Sequence, residues 1–193
     1  MASWIELDIG NLVGHALAMS PTTPQIPPNP TRQVDVLAFP DVQLLDVAGP
    51  VQVFAAANDQ ADKPHAPSPY RIRVIAPEGA QIRATSGLAF ATEPPPDPAE
   101  PLDTLIVAGG KGVMRAAEDA SLVEWLKVRA GAARRTASVC SGAFLLAAAG
   151  LLDRRRAVTH WEVCDELSRR HPAVTVERDP IFVHDGPCGA RLA

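Results

Sequence analysis

Ala137-Ser138-Val139-Cys140-Ser141-Gly142-Ala143-Phe144-Leu145-Leu146-Ala147-Ala148-Ala149-Gly150 is the stretch on which the fold turns. A short strand over Thr136–Val139 feeds directly into a helix over Ala143–Ala149 that stops at Gly150, and a thiol stands at the junction. Small residues follow the thiol, so the chain can turn sharply and project the side chain above the sheet, as a nucleophile elbow does. The positive end of the helix favours thiolate, which predicts a lowered pKa for Cys140. The competing reading makes Cys140 one more small, buried, apolar residue.

Strands and helices alternate outward from this junction. Upstream, Val34–Phe39 reads as a buried strand closed by Pro40-Asp41, and Pro50 suits the first turn of an Ala-rich helix over Val51–Asn58. Tyr70–Ala76 alternates and ends at Pro77, a weaker strand pair flanks Ser86-Gly87, and Leu102–Ala108 is a buried strand stopped by Gly109-Gly110. Asp119–Ala130 carries Leu122, Val123 and Leu126 at helical spacing. Downstream, Ala157–Thr159 reads as a strand, Trp161–Arg170 as a helix ended by Pro172, and Val174–Glu177 and Ile181–His184 as short strands. Such alternation predicts a three-layer α/β fold around a mainly parallel sheet.

The chain has 193 residues, 47% hydrophobic and 21% charged, with mean hydropathy near zero, enough for one core. No run reaches the roughly 20 apolar residues of a membrane helix. Eighteen basic against 22 acidic residues leave a net charge of −4, which supplies no cationic face for nucleic acid. Cys140, Cys164 and Cys188 fit neither a disulfide framework nor a paired metal motif, which points to a reducing, cytoplasmic compartment. Ten of the 19 prolines fall in two clusters, Pro21–Pro30 and Pro94–Pro101, so they punctuate the chain. Residues 1–32 read as a disordered proline-rich leader with acids where a signal peptide needs bases.

Four segments together resemble the ThiJ/PfpI superfamily, whose fold is like that of class I glutamine amidotransferases. They are Phe39-Pro40-Asp41-Val42-Gln43-Leu44-Leu45-Asp46-Val47-Ala48-Gly49-Pro50, Leu105–Gly110, Val139–Ala143 continuing to Leu152, and Thr159-His160-Trp161. The resemblance implies a flavodoxin-like sandwich, usually dimeric, with Cys140 at the elbow facing an acid at the position of Asp46. Gly150-Leu151-Leu152-Asp153, Thr159-His160-Trp161, the Arg170-His171-Pro172 helix end and Asp179–Gly186 resemble the ligand-sensing N-terminal domains of AraC-type transcription regulators. Isonitrile hydratases share the first two of these elements. Two functions are therefore expected. One is sensing of a small polar ligand; the other is a Cys-dependent lyase reaction that turns an isonitrile into an N-substituted formamide.

Chemistry assigns roles beside the resemblance. A carboxyl at Asp46 can share a proton with Cys140, although an Asp before Gly49-Pro50 also suits a helix cap. Backbone amides at Gly109, Gly110 and Ser141 can cradle an anion, or the glycines can serve the turn alone. His160 can polarise a ligand or simply make a structural hydrogen bond. His160 and Cys164 stand four apart on the expected helix, but two ligands make an incomplete metal site, so neither metal nor cofactor is expected. Arg154-Arg155-Arg156 reads as a solvated turn.

The likeness stops at Pro187, where the family continues with a small-residue segment and a long apolar helix. The expected organisation is a domain over 33–186 lacking that last helix, an irregular tail over 187–193, and no helix-turn-helix domain. Such a domain would leave part of one sheet face uncovered.

Overall fold

The computed structural model describes residues 31–61, 68–77 and 79–185. Residues 1–30 of the leader expected over 1–32, and the whole of the tail expected over 187–193, lie outside the described residues, whereas Arg32, placed in that leader, already belongs to the first strand. Four strands, β1 (Arg32–Leu37), β2 (Tyr70–Ile75), β5 (Leu102–Val107) and β6 (Ala133–Ser138), form a parallel sheet in the order β2-β1-β5-β6. A hairpin of β3 (Gln81–Arg83) and β4 (Ala89–Ala91) flanks it, as does a small parallel pair, β7 (Arg156–Ala157) and β8 (Thr175–Val176). The helices are α1 (Leu44–Ala61), α2 (Val113–Glu118), α3 (Ala120–Ala132), α4 (Ala143–Ala148) and α5 (Cys164–Arg170). None of the described helices is long and apolar enough to cross a membrane.

Parity along the strands shows why the sheet is buried on both faces. Tyr70 pairs with Arg32 and so shares a face with Val34 and Val36. Phe54 of α1 packs on that face, ring to ring with Tyr70 at 4.9 Å. Asp35 points the other way and is met by Arg129 of α3. With helices on both faces, β1 from Val34 onward and all of β5 are buried, and their sequences are apolar almost throughout. The expected α/β sandwich is therefore the one observed. Phe144, Leu145 and Leu146 of α4 are also buried, each worth about 1.5–3 kcal/mol.

Several local expectations are corrected. The first helix begins at Leu44, not at Pro50, which lies inside it. Pro50 has no N–H to offer the Asp46 carbonyl one turn back, so the helix carries a missing bond at the residue whose side chain enters the site. The six-residue α2 follows Gly110-Lys111-Gly112, a run that resembles a turn in sequence. Ile181–His184 is not a strand. β7 spends its ladder on β8, and Arg156 N donates to the Asp185 side chain at 2.8 Å instead of to a strand carbonyl. The expected Ala157–Thr159 strand is confined to Arg156–Ala157.

Candidate functional site

The sheet order reverses between β1 and β5, because the chain passes from β1 to β2 on one side and returns to β5 on the other. Crevices at the carboxyl ends of strands flanking such a switch are where open α/β folds bind ligands. The first turn of α1, which follows β1, supplies Asp46 to that edge, and the segments after β5 and β6 supply Gly109-Gly110 and Cys140.

Cys140 has φ 53, a left-handed conformation that costs a non-glycine residue of order 1–3 kcal/mol. Surrounding structure enforces it. Val139 N is held by Val107 O at 2.9 Å, Gly142 N donates to Val139 O at 2.9 Å, and Thr159 Oγ1 donates to Cys140 O at 3.1 Å. A side chain at Gly142 would collide with the Val107 and Ala108 carbonyls, so the small residues after the thiol are required as the elbow reading expects.

Asp46 sits in the first turn of α1 and is 8% exposed. Gly109 N donates to its Oδ2 at 3.1 Å, and its carboxyl and the Cys140 thiol share a hydrogen bond. A Cβ on Gly109 would come within 2.8 Å of both Asp46 Oδ2 and Ser141 Oγ, so no side chain fits there without displacing them. Burial lifts the Asp46 carboxyl to about 6, against the Gly109 amide, the Cys140 thiol and His160, which pull it down. Burial, then the facing Asp46 charge, pushes the Cys140 thiol up to about 11, against the Ser141 amide and hydroxyl. The lowered thiol pKa expected from the helix is thus overturned. α4 spans only six residues, and desolvation beside a carboxylate outweighs its dipole.

The three glycine and serine amides have different fates. Gly109 N is committed to Asp46, and Gly110 N to Ser141 Oγ at 2.9 Å. The Ser141 hydroxyl also donates to Gly110 O at 3.4 Å, and the Ser141 amide and hydroxyl both favour the Cys140 thiolate. Gly110, at φ 140, is held where a side chain would strike Asp41 and Val42, so its conformation serves the close crossing of two loops.

His160 lies at the rim. It acts electrostatically on Asp46, its Nδ1 accepts from Glu162 N at 3.4 Å, and its ring lies 5.5 Å from that of Trp161. It precedes a 3₁₀ turn, Trp161–Val163, so it does not share a helical face with Cys164. Cys164 is buried, and its sulfur contacts the Thr159 and His160 carbonyls. Among the described residues no three His, Cys, Asp or Glu side chains are grouped to hold a metal ion.

Thr159 and Gln43 stood inside the quoted segments Thr159-His160-Trp161 and Phe39–Pro50, but the sequence assigned neither a role. Thr159 ties the elbow to the loop bearing His160, and Gln43 N donates to Gly109 O at 2.8 Å while its side chain accepts from Thr85.

The chain is 38% identical over 142 residues to an uncharacterised protein encoded in the cpoL 5' region of Streptomyces lividans, covering 74% of this chain and 96% of that protein. It is 33% identical to the isonitrile hydratase of Pseudomonas putida over 70% of this chain and 55% of the enzyme. It is 30% identical to the HTH-type transcriptional regulator GbdR of Pseudomonas aeruginosa over 82% of this chain and 42% of the regulator. The chain therefore spans about half or less of these two larger relatives. A ThiJ/PfpI family protein from Pseudomonas syringae superposes with a TM-score of 0.71 at 26% identity, over 94% of this chain and 71% of that one. An AraC family transcriptional regulator from Pseudomonas putida shares the fold, with a TM-score of 0.62 at 21% identity over 84% of this chain and 82% of that one. Residues 32–188 match the model of the DJ-1/PfpI family, and the chain, with its elbow thiol at the carboxyl edge of a parallel sheet, belongs to that family.

Proposed function

We propose that residues 33–186 form the ligand-sensing domain of an AraC-type transcription regulator, with the pocket of Cys140, Asp46, Ser141 and His160 receiving a small polar ligand. The observation that carries this reading is the set of HTH-type transcriptional regulators among the relatives, 30–33% identical to this chain. Burial and the facing Asp46 charge push the Cys140 thiol up to about 11 and so favour the neutral thiol, which suits recognition better than attack. The chain's net charge of −4 offers no cationic face for DNA, which supports a sensing role, and a cytoplasmic homodimer is the state in which we expect it to act.

A second reading is favoured by the shared Cys140–Asp46 hydrogen bond, which puts a proton acceptor beside a nucleophile. In it, Asp46 takes the thiol proton and sulfur adds to the terminal isonitrile carbon. That carbon is then protonated to a thioimidate. Water adds, the C–S bond breaks, sulfur regains its proton, and an N-substituted formamide leaves.

Incubation with a simple alkyl isonitrile, with formamide followed by NMR, separates the two. No formamide above the level of Cys140→Ser is expected. Turnover that disappears in Cys140→Ser overturns the sensing reading in favour of the lyase.

A further inference from the structure

Thr159 is buried and stands between two parts of the site. Its Oγ1 donates to Cys140 O at 3.1 Å, across 19 positions of sequence. Its own carbonyl lies 3.8 Å from the sulfur of Cys164, the buried first residue of α5. The residue after it is His160, whose field acts on Asp46. Thr159 thus anchors the backbone of the thiol to the segment that carries the histidine. Cys140 needs an anchor, because φ 53 is a conformation that a residue with a side chain leaves when nothing holds it. Two of the bonds around it, Val139 N to Val107 O and Gly142 N to Val139 O, join the backbone of its neighbours. The Thr159 hydroxyl reaches the carbonyl of Cys140 itself.

We propose that Thr159 is a positioning residue of this site: its hydroxyl holds the left-handed elbow and so keeps the Cys140 thiol turned to Asp46. This rests on reading the Asp46–Cys140 pair as the ligand site and adds what sets the geometry of the pair. The φ of Cys140 fixes the direction of its Cα–Cβ bond, so the same dihedral decides whether the thiol meets the carboxyl. A neutral hydrogen bond and the strain of a left-handed non-glycine residue are of similar size, so the loss of this one bond is enough to let the elbow relax. Threonine suits the task, because its β-branch restricts χ1 and delivers the hydroxyl in few directions. Valine keeps that shape and leaves the Cys140 carbonyl without this donor.

The test is whether the thiol still feels the carboxyl. The Asp46 charge opposes a thiolate facing it, so Asp46→Asn speeds Cys140 alkylation only while the two groups face each other. The rate with 2-iodoacetamide at pH 8 is read at Cys140 by peptide mass spectrometry. It is measured with and without Asp46→Asn in wild type, Thr159→Val and Thr159→Ser. The quotient of the two rates in each background cancels what the Thr159 substitution does to burial or general looseness. The expected quotient is several-fold in wild type and in Thr159→Ser, and within about twofold of one in Thr159→Val. A quotient as large in Thr159→Val as in wild type overturns the proposal and leaves the Asp46–Cys140 pair standing. A quotient near one in every background overturns the pair itself. Cooperative urea unfolding shows that each variant is folded. Should Thr159→Val not fold, Thr159→Ser decides, because it removes the methyl and keeps the hydroxyl: a quotient like that of wild type supports the proposal, and one near unity overturns it.

Discussion

Asp46 and Asp103 are both buried carboxylates on one small domain, and burial raises the pKa of each. Their neighbours send them in opposite directions. Asp103 receives Arg134 through two bonds, at 2.7 and 2.9 Å, with Arg135 nearby and Thr104 donating to it, and ends below the usual carboxylate range. Asp46 meets an amide, a thiol and the field of His160, with no arginine or lysine paired to it, and ends at about 6. A carboxylate given full-charge partners is a fixed anion and a structural part. One given weak donors keeps a proton in play near neutral pH, which a binding or reacting site needs.

The structural side of this contrast is sharpest at Asp35. It lies 0% exposed in β1 and receives Arg129, also 0% exposed, at 2.6 and 3.1 Å, with Arg73 at 2.8 and 3.1 Å. Asp35→Ala leaves Arg129 buried without its carboxylate. The expected loss is about 3–5 kcal/mol in urea unfolding, because desolvation of the orphaned charge is no longer compensated. A loss below about 1 kcal/mol would show that water reaches Arg129 and that the cluster is not structural.

These two regions differ in how much of them can be read from sequence. The elbow was legible because the small residues Ser141-Gly142-Ala143, set between a short strand and an Ala-rich helical run, leave few geometries open. The pairing of Asp46 with Cys140 crosses 94 positions, and no local pattern carries it; only resemblance supplied it. The Asp35–Arg129 pair left traces that went unread. Asp35 interrupts an apolar run, and Arg129 falls on the same helical stripe as Leu122 and Leu126. Each looks like a defect alone and is explained only by the other. The thiol's ionisation was misjudged for a related reason, since sequence shows the short helix behind Cys140 but not the depth of burial or the carboxylate in front.

The Asp46 side predicts a smaller effect with a definite sign. Its folded pKa of about 6 lies above the ordinary 3.8, so its contribution favours folding below pH 4 and is lost as pH rises through 6. Two units correspond to at most about 3 kcal/mol. Asp46→Asn should remove that loss, so the variant gains stability relative to wild type between pH 4 and 7, measured by urea unfolding at several pH values. Asp103 has the opposite sign: its lowered pKa contributes stability above pH 3.8 that disappears only as pH falls through its folded value. Asp103→Asn should therefore lower stability across the neutral range without changing the slope there. Equal slopes for wild type and Asp46→Asn would place Asp46 with the fixed anions.

The smallest effect falls on the thiol itself and tests whether the two pocket groups act on each other. Burial is the larger cause of the raised Cys140 pKa and the Asp46 charge the second. Removing the charge alone should therefore lower the pKa without restoring the ordinary value. The rate of Cys140 alkylation by 2-iodoacetamide, followed against pH, should rise toward about 11 in wild type and at lower pH in Asp46→Asn, giving several-fold faster labelling near pH 8. Ser141→Ala removes a hydroxyl that stabilises thiolate and should move the profile the other way. An Asp46→Asn profile superimposable on wild type would mean that burial alone sets the thiol. The carboxyl and thiol would then be neighbours without coupling, and the second reading would lose its general base.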